Sequence, residues 1–304
     1  MKKVLILTRK DDRPTFDQKT TYETALADIA TTCDYVVDEF ENLLFAYDGT
    51  DLKVLLSDGV TDIASFDAVF LIAWFKTKML EDVALSVSIY LQAKRVKVVN
   101  TEALYTRSRS KLSQYVYAAL GGVSITPFLF SMNAGTLRRG FAESWQGGYP
   151  VIMKGALASR GDDNYLVESR DEAERLSERM NETEGPWFVV QSFVPNDGDY
   201  RIIVMGDKVT AVIHRRSQSD SHLNNTSKGG EATWLDPGEL PEEVAKQSVT
   251  LARLLRREVT GVDMIQHKET GKFYLLEINN MPQMATGSYV TDKIQTLDAY
   301  LAEL

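Results

Sequence analysis

The sequence predicts an α/β unit followed by α+β units, and three observations carry that reading. Short β-rich runs alternate with helical stretches over about the first hundred residues, the pattern of a mainly parallel sheet covered on both faces. Further on, Tyr200–Met205 and Lys208–Arg215 flank Gly206-Asp207, a strong hairpin signal. At 304 residues the chain is also longer than one simple core needs.

The elements follow in order. Val4–Leu7 reads as a buried strand and Thr20–Ala30 as a helix; Tyr35–Phe40, Leu52–Leu56 and Asp67–Ala73 are β-rich runs. Met79–Lys94 reads as a helix and Val96–Asn100 as a strand, which closes a first unit over residues 1–104. Thr106–Leu120 is helical and stops at Gly121-Gly122. A second unit, 105–190, holds strand-like Thr126–Ser131 and Pro150–Lys154, then Tyr165–Val167 and a charged helix Asp171–Asn181, and the strand Phe188–Phe193 straddles its end. The third unit, 191–304, carries the hairpin, a polar stretch Ser217–Glu231, a helix Pro241–Glu258, and strands Gly261–His267 and Phe273–Asn279 joined by the turn Lys268–Lys272. Neither an internal repeat nor a low-complexity linker is visible.

Composition excludes several functions. Hydrophobic content of 44% with 25% charged residues belongs to an ordinary globular protein. A net charge of -9 argues against a general nucleic-acid or anionic-membrane surface. Cys33 is the only cysteine, so no internal disulfide and no cysteine zinc cluster can form. Met1-Lys2-Lys3 precedes too short an apolar run for a signal peptide, and no stretch approaches a membrane span. The expectation is a cytoplasmic protein, with homo-oligomer formation left open.

The most informative segment is Gly261-Val262-Asp263-Met264 followed by Leu275-Leu276-Glu277-Ile278-Asn279. Residues two apart on a strand share a face, so Glu277 and Asn279 converge, and Asp263 on the adjoining strand would oppose them. Two carboxylates and an amide oxygen suit Mg²⁺, with Mn²⁺ an alternative; a solvated hairpin edge is the bland reading. The intervening Leu275, Leu276 and Ile278 favour burial, where unpaired carboxylates are costly. Other patterns are weaker. Lys154 ends an apolar run before Ala158-Ser159-Arg160-Gly161, whose backbone N–H groups would suit phosphate oxygens; alone it is a surface lysine. Asp199 and Arg201 fit a salt bridge as readily as a site. Arg138-Arg139 and Arg215-Arg216 read as solvated pairs, with Arg215 a candidate for lining a cleft. His214, His222 and His267 lack metal-ligand spacing, and there is no Gly-Lys-Ser/Thr phosphate loop.

Taken as an ordered set, GVDM and LLEINNMP resemble the metal-binding strands of RimK-like ATP-grasp enzymes, over a stretch from Lys111 to Pro282. Val151-Ile152-Met153-Lys154 is similar to the strand bearing that family's phosphate lysine, and Lys111 stands where the family has a second one. Gln191-Ser192-Phe193-Val194 resembles the adenine hinge, Gly198-Asp199-Tyr200-Arg201 the Asp-x-Arg element, and Asn225 through Gly229-Gly230 the Asn-x-x-x-Gly-Gly loop. The resemblance implies a Rossmann-like N-terminal domain, a central lid domain and a C-terminal domain, with ATP between the last two. It implies magnesium on Asp263, Glu277 and Asn279, and nucleotide contacts from Lys111, Lys154, Ser159, Gly161, Gln191, Ser192, Phe193, Val194, Asp199 and Asn225. Arg201 and Lys154 would act at the transferring phosphoryl group. The activity implied is ATP-dependent joining of a small-molecule or peptide carboxylate to an amine through an acyl phosphate; a phosphotransferase and a non-catalytic ATP-binding regulator stay open as alternatives. Four departures fall around the acceptor side: Ser192 for a glutamate, Asp162-Asp163 where another glycine is usual, Leu223 for an arginine and Gln283 for a glycine.

Overall fold

The computed structural model describes residues 1–10, 16–72, 77–105, 110–157, 163–182, 186–216, 231–280 and 282–304. Its first layer is a four-stranded sheet of order β2-β1-β5-β6, built from β1 (Lys2–Thr8), β2 (Cys33–Glu39), β5 (Ala68–Leu71) and β6 (Lys97–Val99). Every pairing in it is parallel. Parallel strands need helical crossovers, and these are α1 (Gln18–Ile29) and α2 (Lys78–Ala93). Asp17 caps α1 by accepting from Thr20 N, and Thr77 caps α2 by accepting from Leu80 N. Between β2 and β5 lies a separate hairpin, β3 (Leu44–Tyr47) with β4 (Leu52–Leu55).

The second sheet has order β7-β10-β8-β9, from β7 (Phe128–Phe130), β8 (Val151–Gly155), β9 (Asn164–Val167) and β10 (Phe188–Ser192). All three pairings are antiparallel, and α4 (Ala134–Glu143) and α5 (Arg170–Ser177) pack on one face around Leu137, Phe141, Ala173 and Phe188. Strand β10 runs across the 190/191 division expected from sequence.

The third sheet is antiparallel with order β13-β12-β11-β14-β15. Its strands are β11 (Asp199–Met205), β12 (Lys208–Arg216), β13 (Glu231–Leu235), β14 (Val259–Gln266) and β15 (Phe273–Asn279). One face packs Ile202, Val212, Val262, Met264 and Ile278 against α3 (Lys111–Leu120) and α6 (Glu242–Leu254). The opposite face is divided along its length. Ile203, Met205, Ala211 and Val259 join a core with the C-terminal helix α7 (Val290–Glu303) and with α1, while the other end is charged.

The first and third sheets are tied by side chains that imitate backbone. Asn100, at φ +66, donates to Val259 O at 3.1 Å and accepts from Val259 N at 2.8 Å. Buried Asp298 of α7 accepts from the N–H groups of Thr31, Thr32 and Cys33 and from Tyr35 Oη.

Several expectations need correction. Helix α6 ends at Leu254, four residues short of Glu258, because Arg256 turns left-handed at φ +56 and Arg257 N bonds back to Ala252 O. The described part of the helix expected from Thr106 begins at Lys111, where Ser110 accepts from Ser113 N; residues 106–109 lie outside the described ones. Helices α4 and α7 and strands β3 and β13 were absent from the sequence reading.

Candidate active site

Strand register assembles the charged end of the third sheet. Trp234, Ile213, Arg201, Asp263 and Glu277 stand side by side on five successive strands. Directly opposed residues share a face, and so do residues two apart. The same face therefore also presents Asp199, Arg215, Gly261 and Asn279. Both hairpins reach this register through a bulge, between Ile203 and Val204 in one and between Asp263 and Met264 in the other.

These side chains form one network. Arg201 grips Asp263 with a fork, Nε to Oδ1 at 2.9 Å and Nη2 to Oδ2 at 2.7 Å. Arg215 Nη2 lies 3.1 Å from the same Oδ2, and its Nε donates to Asp199 Oδ1 at 2.6 Å. Asn279 Nδ2 bridges Asp263 Oδ2 at 3.0 Å and Glu277 Oε1 at 3.1 Å. Arg201 Nη1 reaches Gln283 Oε1 at 3.0 Å. Gly261 lies beneath the arginine, tight against Pro282. A Cβ on Gly261 would lie 3.0 Å from Pro282 Cβ and 3.6 Å from Arg201 Cδ and Nε.

Burial alone would raise the pKa of both aspartates, but they diverge. For Asp263, desolvation is outweighed by Arg201 and Arg215, and its carboxyl is held below the usual range. For Asp199, desolvation prevails over the attraction of Arg215, with Asp263 repelling, and its carboxyl is raised. Arg215 is therefore no solvated cation. It is 6% exposed and ion-paired twice, which corrects the reading of Arg215-Arg216 as a solvated pair.

Two lysines face this network from the other sheet and from α3. Lys154, on β8, is pushed down to about 8 by desolvation; Glu277 pulls it up and Lys111 pushes it further down. Lys111, in the first turn of α3, is lowered by burial against the same pull of Glu277. Lys111 also donates Nζ to Gly155 O at 3.4 Å, and its N–H bonds Ala156 O at 3.1 Å. The Lys154 ammonium makes no hydrogen bond or salt bridge among the described residues. Lys111, Lys154, Arg201 and Arg215 outnumber Asp199, Asp263 and Glu277, so the cluster carries a net positive charge that suits a polyphosphate.

The hinge segment stands where the chain leaves the second sheet for the third. Gln191 is buried and donates Nε2 to Thr126 Oγ1 at 3.1 Å, turned into the body of the protein. Ser192 N bonds Pro127 O, Ser192 Oγ bonds Gly147 O, and Phe193 N bonds Pro150 O. Val194 O accepts from Asn196 Nδ2 at 2.8 Å. Ser159, Gly161 and Asn225 lie outside the described residues.

Strand β15 is an edge strand, yet its outer backbone is satisfied. Tyr115 Oη donates to Leu276 O at 2.7 Å, Gln114 Oε1 accepts from Ile278 N at 3.0 Å, and Arg257 Nη1 donates to Ile278 O at 2.7 Å. Arg257 is anchored by Glu102, Nε to Oε2 at 2.6 Å, and Glu102 also accepts from Asn280 Nδ2 at 2.8 Å. The strand is thus fixed from behind while Glu277 and Asn279 face the cluster.

The donor chemistry fits a hard divalent cation. Asp263, Glu277 and Asn279 meet at one point, and a half-turn of the Asn279 amide brings its Oδ1 to where Nδ2 now bridges the carboxylates. Among the described residues no cluster of three or more His, Cys, Asp or Glu side chains forms a separate metal site. Three contributors escaped the sequence reading: Arg215 as an ion-pair partner, Gln283 as a contact of Arg201, and Lys293. Lys293 is 3% exposed and donates to Gln283 O and Thr286 O, both at 2.6 Å.

Comparison with known proteins gives a family match and likenesses of fold. A family model described as the RimK-like ATP-grasp domain matches residues 131–301. A probable alpha-L-glutamate ligase 2 of Hahella chejuensis is 27% identical over 248 residues, which cover 78% of this chain and 75% of that protein. Among solved structures, the ATP-grasp ligase PsnB complexed with minimal precursor, Mg and ADP superposes with a TM-score of 0.69 at 16% identity, covering 99% of this chain and 96% of that one. A Chryseobacterium gregarium RiPP-associated ATP-grasp ligase, in complex with ADP and a leader and core peptide, gives a TM-score of 0.69 at 15% identity, covering 100% and 98%. Both likenesses are of fold.

Proposed function

The chain belongs to the RimK-like ATP-grasp family and is an ATP-dependent carboxylate–amine ligase; from that premise we propose how its residues divide the work. The observation that carries the assignment is the register row that sets Arg201, Asp263 and Glu277 together, with Lys111 and Lys154 in the field of Glu277. Asp263, Glu277 and Asn279 would hold magnesium, or manganese in its place, which supplies neutralisation of phosphate charge. Lys154 and Lys111 bind the phosphates as point charges. The hinge Gln191–Val194 borders the adenine, its peptide groups and apolar side chains forming the wall. Ser159, Gly161 and Asn225 are assigned to the phosphates on sequence alone.

Little covalent chemistry falls to the protein. The substrate carboxylate attacks the γ-phosphorus, the bond to the bridging oxygen breaks, and ADP leaves an acyl phosphate. Arg201 faces the equatorial oxygens, where its charge counts most in the transition state. The amine then attacks the acyl carbon and loses a proton, and phosphate departs to leave the amide. Arg215 keeps Asp199 and Asp263 in register rather than touching the substrate.

For substrates we propose an acidic amino acid or an acidic peptide side chain as the acid, joined to an amine. The excess of cations over carboxylates at the site supports an anionic acid, and the names of the relatives point the same way. We place the reaction in the cytoplasm, where ATP is available. Among the described residues no helix is long and apolar enough to cross a membrane.

The test has two parts. MgATP at about 100 times its dissociation constant should stabilise the protein by roughly 2.7 kcal/mol, and ATP with chelator by far less. Amino acids and short acidic peptides are then screened for ADP release, with hydroxylamine replacing the amine. Hydroxamate is the expected product. AMP and pyrophosphate, or a stable phosphorylated acid without amide, would overturn the mechanism.

A further inference from the structure

We infer that Gln283 is a positioning residue for Arg201, holding its guanidinium by an edge that does not depend on Asp263. The inference rests on Arg201 acting at the transferring group, as proposed above. Gln283 has φ +58, a left-handed conformation that glycine adopts most easily and that costs a residue with a Cβ. Such a residue persists only where its surroundings over-determine it, and here both ends are held.

Behind it, Gln283 O accepts from Lys293 Nζ at 2.6 Å and from Thr286 N at 3.3 Å. Lys293 is buried on α7 and also holds Thr286 O, and Met284 is fully buried between them in sequence. The turn is therefore pinned to the helix, and the glutamine side chain projects the other way. Its Oε1 accepts from Arg201 Nη1 at 3.0 Å.

The geometry of the guanidinium makes this contact matter. Arg201 spends Nε and Nη2 on Asp263, so those two bonds fix only one edge of the plane. Asp263 is also a proposed ligand for the cation, and a cation competes for the same two oxygens. When it does, the Asp263 edge weakens, and the bond to Gln283 remains to keep the plane over Gly261. Glycine at this position would relieve the backbone and remove that hold. Gln283 accordingly trades local backbone comfort for orientation of the charge that meets the acid.

Guanidinium NMR of ¹⁵N-arginine protein reads the hold directly, with the Arg201 signals assigned by their loss in Arg201→Lys. The parent should show slowed Nη1 rotation and exchange that survives added Mg²⁺. Gln283→Met, matched in length but unable to accept, should lose it, and Gln283→Glu should restore it. Gln283→Gly should melt at or above the parent temperature. It should nevertheless lose about tenfold in kcat with KM for ATP within roughly twofold. An unchanged Arg201 signal in Gln283→Met, or parent turnover in Gln283→Gly, would overturn the inference, as would a loss of kcat that merely follows a fall in melting temperature. If no acid supports ADP release by the parent, the ligase reading fails, while the NMR arm still decides whether Gln283 holds Arg201.

Discussion

The two sides of the cleft are charged in different ways. On the third sheet the arginines and aspartates answer one another: Arg201 and Arg215 share Asp263, and Arg215 also holds Asp199. On the second sheet Lys154 is answered by no ion pair among the described residues, and burial has pulled its proton affinity down to about 8. One side is completed by folding itself, so its charges contribute to the stability of the free protein. The other holds an ammonium whose desolvation Glu277 offsets only in part, so a bound anion would relieve the rest. Removing a charge should therefore have opposite consequences on the two sides.

Asp263→Asn gives the largest expected effect. Buried Arg215 and partly buried Arg201 lose their shared anion, and the proposed cation loses a ligand. Stability should fall by about 3 kcal/mol, and turnover by roughly a thousandfold or more. Urea unfolding and ADP release measure the two losses. A fully stable Asp263→Asn protein would break the contrast.

Lys154→Ala should act in reverse. Stability should hold or rise, because a desolvated charge is removed. MgATP affinity should fall by about 2 kcal/mol, a factor near thirty, measured by calorimetry. A variant that binds ATP like the parent would remove Lys154 from the site.

The pH dependence sharpens the comparison further. Between about 8 and the ordinary lysine value of 10.5, folded Lys154 carries fewer protons than unfolded Lys154. Stability of the free protein should thus rise with pH across that window and be lost as pH falls back through about 8. Affinity for MgATP should move oppositely, weakening about tenfold by one unit above the folded value. Lys293, also lowered to about 8 by burial, adds to the stability slope but not to the binding slope. Lys154→Arg should flatten the binding profile and leave only the Lys293 part of the stability slope.

The smallest effect belongs to the helix start. Ser110→Ala removes the cap of α3 and should cost about 1 kcal/mol of stability. ATP affinity should weaken less than in Lys154→Ala, since Lys111 is loosened rather than lost. Thermal unfolding alongside ATP titration would check both.

How far these regions were legible depends on register. The pair Glu277 and Asn279 was readable because strand alternation alone places them on one face. Arg215 was not. Counting back from the Gly206-Asp207 turn, where Met205 faces Lys208, would oppose Asp199 to His214. The bulge between Ile203 and Val204 moves the pairing by one residue and puts Arg215 there instead. A second bulge brings Asp263 opposite Glu277 rather than Leu276. No residue type announces either one. The overlooked helices have their own reasons: α4 contains Gly135 and Gly140, each costing about 1 kcal/mol in a helix, and α7 starts from left-handed Tyr289 without a side-chain cap. The parallel first sheet, by contrast, follows from the alternation of strands and helices.

Helix α3 touches both walls of the cleft within one turn and a fraction. Its first residue, Lys111, is bonded to Gly155 and Ala156 at the exit of the lysine-bearing strand β8, and Gln114 and Tyr115 hold the strand of Glu277 and Asn279. At about 1.5 Å of rise per residue, those contacts are set roughly 6 Å apart along a rigid rod. The helix is a gauge block: it meters the gap between the two walls, which the function proposed above gives to the phosphates. One inserted residue would rotate Lys111 by about 100° and mis-set both walls together. The turn around Gln283 is pinned to α7 instead and lies off that gauge. In the reading proposed above, substitutions in that turn would then shift Arg201 while the spacing of the two walls stays constant.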